Sequence, residues 1–135
     1  MKSEPPLDTA VAIRIAAFRS KIRAFLRKSE HIAQASGLTP QRYLLLLMIK
    51  GAPDGSERAT VTALAERLQL AQSTVTELVA RAERSGLVER ERSDSDARVA
   101  HLRLTQEGER RLARSVRGPE VERQELRRML DELDG

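Results

Sequence analysis

The amino-acid sequence predicts a mainly α-helical protein that carries one small β-hairpin. Apolar residues recur at helical spacing through most of the chain, whereas residues 87–104 contain two extended segments around a polar turn. Only 2% of the residues are aromatic, so the core must consist of Leu, Ile, Val and Ala, which favours packed helices over sheets. The length of 135 residues fits one domain or two closely joined subdomains.

Composition excludes several classes of function. Because cysteine is absent, there can be no disulfide, thiolate nucleophile or Cys-ligated zinc. The longest apolar run, residues 44–49, is far shorter than the roughly 20 residues that span a bilayer, and the N-terminal segment lacks the apolar stretch of a signal peptide. We therefore expect a cytoplasmic protein with no membrane partner. The net charge is +4, and most of the basic residues are Arg. Arg suits phosphate and guanine recognition, but an Arg-rich surface that is simply solvated fits equally well.

A long helix is predicted near the N-terminus, ending at about Gly37. Pro5 and Pro6 precede it, and Asp8 or Thr9 can cap its first turn. The helix carries an apolar stripe at heptad-like spacing. The stripe consists of Val11, Ile15, Phe18, Ile22, Phe25, Ser29 and Ile32.

The middle of the chain is predicted to form three helices followed by the hairpin. Thr39 and Pro40 start the first of these helices, whose segment YLLLLMI is apolar nearly all round and should be buried. Gly and Pro residues mark the loop at 51–55 that follows it. The remaining predicted elements are helices at about 60–68 and 71–86, strands at 87–92 and 99–104 around a turn at 93–97, and helices at about 105–118 and 120–133. Gly86 should end the helix before the strands, and Thr105 should cap the helix after them. In the second strand, Ala100, Leu102 and Leu104 should share one face.

Two short helices joined by a tight turn and followed by a hairpin are typical of a winged helix-turn-helix, whose second helix enters the major groove of DNA. The second helix predicted here buries an apolar face, formed by Val75, Leu78, Val79 and Ala82, and turns short polar side chains outward. Hydroxyl groups near its N-terminus allow close approach to DNA, and the amide of Gln72 can read adenine. Ser73 and Thr74 can alternatively cap the helix, because Ala71 lacks a capping side chain.

Residues 38–112 resemble the winged helix-turn-helix core of MarR-type transcriptional regulators. The elements LAERL, STVT, GLVER, DxR and LTxxG occur in the order and spacing of that family, and LTPQRYLLLLMI is similar to its preceding helix. The resemblance implies a winged core at 38–104 between dimerisation helices at 1–37 and 105–135. It also implies a homodimeric cytoplasmic repressor or activator that binds pseudo-palindromic operators and is often released by small aromatic or amphipathic ligands.

The resemblance assigns the STVT segment to the recognition helix and the DxR element to the wing. In the wing, the family's Arg, here Arg98, enters the minor groove, and its Asp, here Asp96, orients it. Ala97 replaces the basic residue usual between them, and Glu77 stands where a neutral or basic residue is common. The Glu77 carboxylate can accept a hydrogen bond from cytosine N4, or its charge can disfavour binding to DNA sequences other than the operator. The predicted DNA-binding residues are Gln72, Ser73, Thr74, Thr76, Arg92, Asp96 and Arg98.

The two chain ends are predicted to form the dimer. Their apolar stripes exceed what a compact winged domain can cover, so a second copy of the chain should bury them. An intramolecular helical bundle is the alternative. We expect an effector pocket between the terminal helices and the winged domain. The residues expected to line it are Arg14, Phe18, Tyr43 and Met48.

No motif for catalysis, a cofactor or a metal is recognisable, so we expect a non-enzymatic protein without a cofactor. His31 and His101 are far apart in sequence, and Asp94 and Asp96 fit a turn better than a cation loop. The rival function is a protein–protein adaptor that uses the winged domain as a dimer scaffold without reading DNA. The STVT helix and the basic wing argue against that alternative.

Overall fold

A computed structural model describes residues 3–92, 99–116 and 119–134. The chain divides into a terminal unit, residues 1–31 and 117–135, and a winged unit, residues 32–116. The mainly helical fold with one two-stranded antiparallel sheet is confirmed. The elements are α1 (Thr9–Ala35), α2 (Pro40–Lys50), α3 (Val61–Leu68), α4 (Gln72–Arg84), β1 (Val88–Arg92), β2 (Ala100–Leu104), α5 (Gln106–Ser115) and α6 (Pro119–Asp134).

The terminal unit contains residues 9–31 of α1 and the whole of α6. Asp8 caps α1, because its Oδ2 accepts a hydrogen bond of 3.2 Å from the amide of Val11. Within the unit, Lys28 lies 3.9 Å from the carboxylate of Glu125. Large apolar side chains of this unit remain exposed in the single chain. They are Leu7, Ile13, Ile15, Leu26, Val121, Leu126 and Leu130.

The core of the winged unit is built around α2, as its apolar sequence predicts. Thr39 is the N-cap, and its hydroxyl accepts from the amide of Arg42 at 3.2 Å. Four of the helix's side chains are buried, and Leu44, Leu47 and Met48 pack against the same core while half-buried. The buried four are Tyr43, Leu45, Leu46 and Ile49.

Helices α3 and α4 form the predicted helix-turn-helix. Thr60 caps α3 by accepting from the amide of Ala63 at 3.1 Å, and Gln69 ends it in the left-handed conformation, with φ of 59°. Gly86, with φ of 74°, follows the end of α4 as predicted. The buried face of α4 consists of Val75, Leu78, Val79 and Ala82, which are the four residues predicted for it.

Strands β1 and β2 form the wing, and Val88 pairs with Leu104 at its root. Leu102 and Leu104 point into the core, in agreement with the predicted alternation. Ala59 adds a third, one-residue segment, because its amide and carbonyl exchange hydrogen bonds with Leu102 at 3.0 and 2.8 Å. The sequence did not predict this bridge, since one residue has no periodicity. The predicted turn at 93–97 lies outside the described residues.

Helix α5 belongs to the winged unit, although the sequence grouped it with the dimerisation helices in 105–135. Thr105 caps it through the amide of Gly108, and Leu112 and Ser115 are buried. The division of the chain falls between residues 116 and 117 rather than before Thr105. It also falls within α1, after residue 31, rather than after residue 37.

Candidate nucleic-acid interface

The outward face of α4 carries short polar side chains at its N-terminal end. Four of the residues predicted to contact DNA lie on this part of the helix, and all four are exposed. The opposite face is anchored in the core by the four buried apolar residues of α4. The helix therefore presents a polar ridge on a rigid support. The four exposed residues are Gln72, Ser73, Thr74 and Thr76.

The first turn of α4 has no side-chain cap. Its N-cap residue is Ala71, whereas α2, α3 and α5 are each capped by a threonine. Ser73 and Thr74 lie inside the helix, so the alternative that they cap it does not hold. The first-turn amides of an uncapped helix are available to an anion, and the helix dipole favours negative charge at this end.

Gln72 is positioned by the preceding helix. Its Nε2 lies 3.4 Å from the hydroxyl oxygen of Thr62, which is itself exposed on α3. This contact brings Thr62, which is not one of the predicted site residues, next to the ridge of α4. The hydroxyl of Thr62 is thus a further polar group beside the candidate interface.

Two opposite charges pair further along the same face of α4. Arg81 donates a 2.7 Å hydrogen bond to Oε1 of Glu77, one helical turn earlier. Both side chains remain more than half exposed, at 52% and 64%. The positive charge of Arg81 partly compensates the negative charge of Glu77, which the sequence predicted on the DNA-facing side of the helix.

The wing is tied to α4 and to itself by ion pairs. Arg90 of β1 donates a 2.9 Å hydrogen bond to Glu83 near the end of α4. On the other face of the sheet, Arg103 bonds to Glu89 at 2.6 Å, and this contact raises the pKa of Arg103. Arg90 therefore joins the wing to α4, and Arg103 joins the two strands to each other.

A groove of about 730 Å³ lies between the loop before α3 and the wing. Arg58 Nε approaches Oε2 of Glu91 to 3.3 Å without hydrogen-bond geometry, and that buried oxygen has no hydrogen-bond partner within the described part of the chain. Arg67 instead donates to the carbonyls of Met48 and Gly51. Arg58 and Arg67 are thus engaged by the protein itself, whereas Arg92, which also lines the groove, has no ion pair with a described residue.

Two exposed arginines of α4 and β1 have no ion pair with any residue that the structure describes. Arg84 ends α4, and Arg92 ends β1. Arg92 is one of the predicted DNA contacts and Arg84 is not, although Arg84 follows Arg81 on the same exposed side of the helix. Both guanidinium groups are available to phosphates. Asp96 and Arg98, predicted at the wing tip, lie outside the described residues.

The four residues predicted for an effector pocket occupy different surroundings. Arg14 and Phe18 line a groove of about 620 Å³ along α1 in the terminal unit. In the winged unit, Tyr43 is buried in the core and Met48 is half-buried against it. A pocket formed by all four residues stays a prediction.

Comparisons with known proteins agree with this geometry. A profile of the MarR family matches residues 36–99. The transcriptional repressor MdtR of Bacillus subtilis is 31% identical over 109 residues, which are 81% of this chain and 66% of MdtR. The chain spans between about half and about two thirds of the length of three curated relatives.

Among the helices of the described residues, none combines the length and the hydropathy that a membrane-spanning segment requires.

Solved structures show the same fold. A MarR family protein from Bacillus stearothermophilus superposes with a TM-score of 0.66 at 27% identity, covering 96% of this chain and 84% of that protein. A cysteine variant of MarR from E. coli, solved in complex with operator DNA, superposes with a TM-score of 0.61 at 18% identity, covering 82% and 76% of the two chains. Through its winged unit, this chain belongs to the MarR family.

Proposed function

We propose that the protein is a sequence-specific DNA-binding transcriptional regulator that acts as a homodimer on a pseudo-palindromic operator. Helix α4 of each protomer enters the major groove, and the wing reaches the adjacent minor groove. We further propose that it acts in the cytoplasm as a repressor, which a small aromatic or amphipathic effector releases. Among its relatives, MdtR and YetL of Bacillus subtilis are named transcriptional repressors.

One observation carries the DNA-binding proposal: the exposed N-terminal part of α4. There, an uncapped first turn coincides with short polar side chains that permit close approach to a duplex. Arg84, at the C-terminal end of α4, and Arg92, at the end of β1, are exposed and have no ion-pair partners among the described residues, so they are suited to phosphate contacts. The wing adds rigidity, because Arg90 links it to Glu83 of α4.

The exposed apolar residues of the terminal unit support the homodimer. In the single chain, Ile13, Leu126 and Leu130 are 64%, 46% and 59% exposed. Apolar side chains of this size on neighbouring helical turns are costly to leave in water, and a two-fold axis buries the same patch on both copies. A dimer also explains why the operator should be two-fold symmetric, since each protomer offers one α4.

Selection from a random duplex pool tests this proposal. The intact protein is mixed with the pool, bound duplexes are recovered, and the enriched sequences are compared. We expect two inverted half-sites whose centres lie about one helical turn, roughly 10 base pairs, apart. Enrichment of no sequence, with binding no tighter than that of an unrelated basic protein, would overturn the proposal in favour of an adaptor.

A further inference from the structure

We propose that Glu77 reads an amino group in the major groove, with cytosine as its preferred base, and that Arg81 is the positioning residue that holds its carboxylate in place. This inference rests on the proposed DNA-binding function. It assigns a role to the acidic residue of a recognition helix that otherwise carries neutral or basic side chains on its outward face.

The position of Glu77 on α4 is the first step. It lies four residues after Ser73, and residues four apart share one helix face. The Glu77 side chain is 64% exposed, so it projects from the polar ridge rather than folding onto the core. Any duplex that Ser73 and Thr76 contact therefore comes close to this carboxylate.

The pairing with Arg81 is the second step. A free carboxylate in a groove lined by phosphates would be repelled, and its flexible side chain would lose rotamer entropy on contact. Arg81 reduces both costs, because its guanidinium holds Oε1 at 2.7 Å and supplies a compensating positive charge. The second oxygen, Oε2, has no bond to another described residue that would keep it from accepting a hydrogen bond from DNA.

The chemistry of the base edges then decides what Oε2 can accept from. In the major groove only cytosine N4 and adenine N6 offer hydrogen-bond donors, and an acidic side chain pairs with cytosine N4. Guanine and thymine present oxygen acceptors at this depth, which an ionised carboxylate repels. Glu77 therefore favours cytosine and disfavours guanine and thymine at one base pair of each half-site.

The same pairing has a consequence for binding without sequence preference. Because Arg81 is engaged by Glu77, its charge is less available to phosphates than that of Arg84. Replacing Glu77 by a neutral residue releases Arg81 toward the backbone. The pair thus lowers affinity for random DNA while raising discrimination at one base.

Selection from a random duplex pool with matched variants tests the proposal. Glu77→Gln removes the charge and keeps the shape, while Glu66→Gln, on the exposed side of α3, makes the same charge change elsewhere. Exposed ion pairs contribute little to stability, so both variants should fold. We expect the intact protein and Glu66→Gln to select the same cytosine in each half-site. Glu77→Gln should lose that preference by about tenfold, or shift it to adenine, and keep the other positions.

A second measurement examines the role of Arg81. The affinity of Glu77→Gln for one duplex of defined sequence without the selected site should be about threefold or more above that of the intact protein. The salt dependence of this binding should also be steeper, because a phosphate contact is gained. Arg81→Ala should weaken the cytosine preference, and Arg81→Lys, which keeps the charge, should partly restore it. The proposal is overturned if Glu77→Gln selects the same base as the intact protein. If the intact protein selects no sequence at all, the proposed function falls as well.

Discussion

The backbone of Gly108 in α5 lies against the main chain of Leu87 at the root of the wing. A Cβ placed on Gly108 would stand 2.1 Å from the carbonyl oxygen of Leu87. That same oxygen accepts the amide of Thr105 at 3.0 Å, and the hydroxyl of Thr105 donates to the carbonyl of Gly86 at 2.6 Å. The close approach therefore joins the first turn of α5 to the residues where β1 begins.

We predict that Gly108→Ala destabilises the winged unit. The added methyl group meets main-chain atoms, which cannot rotate away, so the strand root and α5 must separate. Overpacking of this kind costs about 1–3 kcal/mol, against which the better helix propensity of Ala returns up to about 1 kcal/mol. Urea denaturation should show a lower midpoint. A midpoint of Gly108→Ala equal to or above that of the intact protein would contradict this account.

Glu107 predicts how stability depends on pH. The hydrogen bond from Arg111, at 2.9 Å, holds the pKa of the Glu107 carboxyl below its ordinary value, and Arg110 adds to the effect. A depressed pKa means that the folded state favours the ionised form, so the stabilisation is present above about pH 4.5 and lost as the pH falls through the folded-state pKa. Glu107→Gln should therefore lower the urea midpoint at neutral pH and differ less from the intact protein in acid.

Glu66→Gln serves as the reference for that experiment, since no ion pair joins Glu66 to the residues that the structure describes. Its difference from the intact protein should be small at every pH. A gap between Glu107→Gln and the intact protein that stays constant from neutral pH down to about pH 3 would show that the charge of Glu107 is not responsible.

The dimer prediction concerns Phe18, which lines the groove along α1 with Arg14 and Ile22. Phe18→Glu should dissociate the homodimer, because an unpaired charge buried in an apolar interface costs several kcal/mol. Sedimentation at micromolar concentration should give twice the chain mass of 15.1 kDa for the intact protein and a single chain for the variant. Ser85→Glu, at an exposed position at the end of α4 in the winged unit, should remain dimeric. A monomeric intact protein would remove the homodimer from the proposal.

Thr76 provides a test of base recognition by α4. Thr76→Ala should lower the discrimination between a selected operator and random DNA by about 1–3 kcal/mol if its hydroxyl touches a base edge. Affinity for random DNA should hardly change. Ser85→Ala, at the far end of the same helix, should leave both affinities unchanged. Equal losses of Thr76→Ala on both duplexes would assign its hydroxyl to phosphate positioning instead.

Local signals in the sequence predicted the elements well. Thr39 and Thr105 cap the helices that they were expected to cap, and Gly86 takes the positive φ expected after α4, because caps depend only on neighbouring residues. The bridge from Ala59 to Leu102 and the packing of Gly108 on Leu87 could not be predicted in this way. Both depend on residues more than 20 positions apart or on the exact approach of two backbones.

For the candidate site, the sequence predicted which residues are exposed but not how their side chains pair with one another. The exposure of Gln72 and Thr76 follows from helical periodicity, whereas their contacts with bases stay a prediction. The pair of Glu77 and Arg81 has i,i+4 spacing, a signal that was present in the sequence but was not used. Arg98 at the wing tip also stays a prediction.

The salt dependence of operator binding measures how many phosphates α4 and the wing neutralise. Fluorescence anisotropy of a labelled, selected duplex is recorded over a series of salt concentrations for the intact protein and for Arg84→Ala. If Arg84 and Arg92 each neutralise one phosphate in both protomers, the slope of log affinity against log salt should be about −3.6 or steeper, and Arg84→Ala should make it shallower by about 1.8. A flat dependence for the intact protein would contradict the account that this chain binds DNA through α4 and the wing.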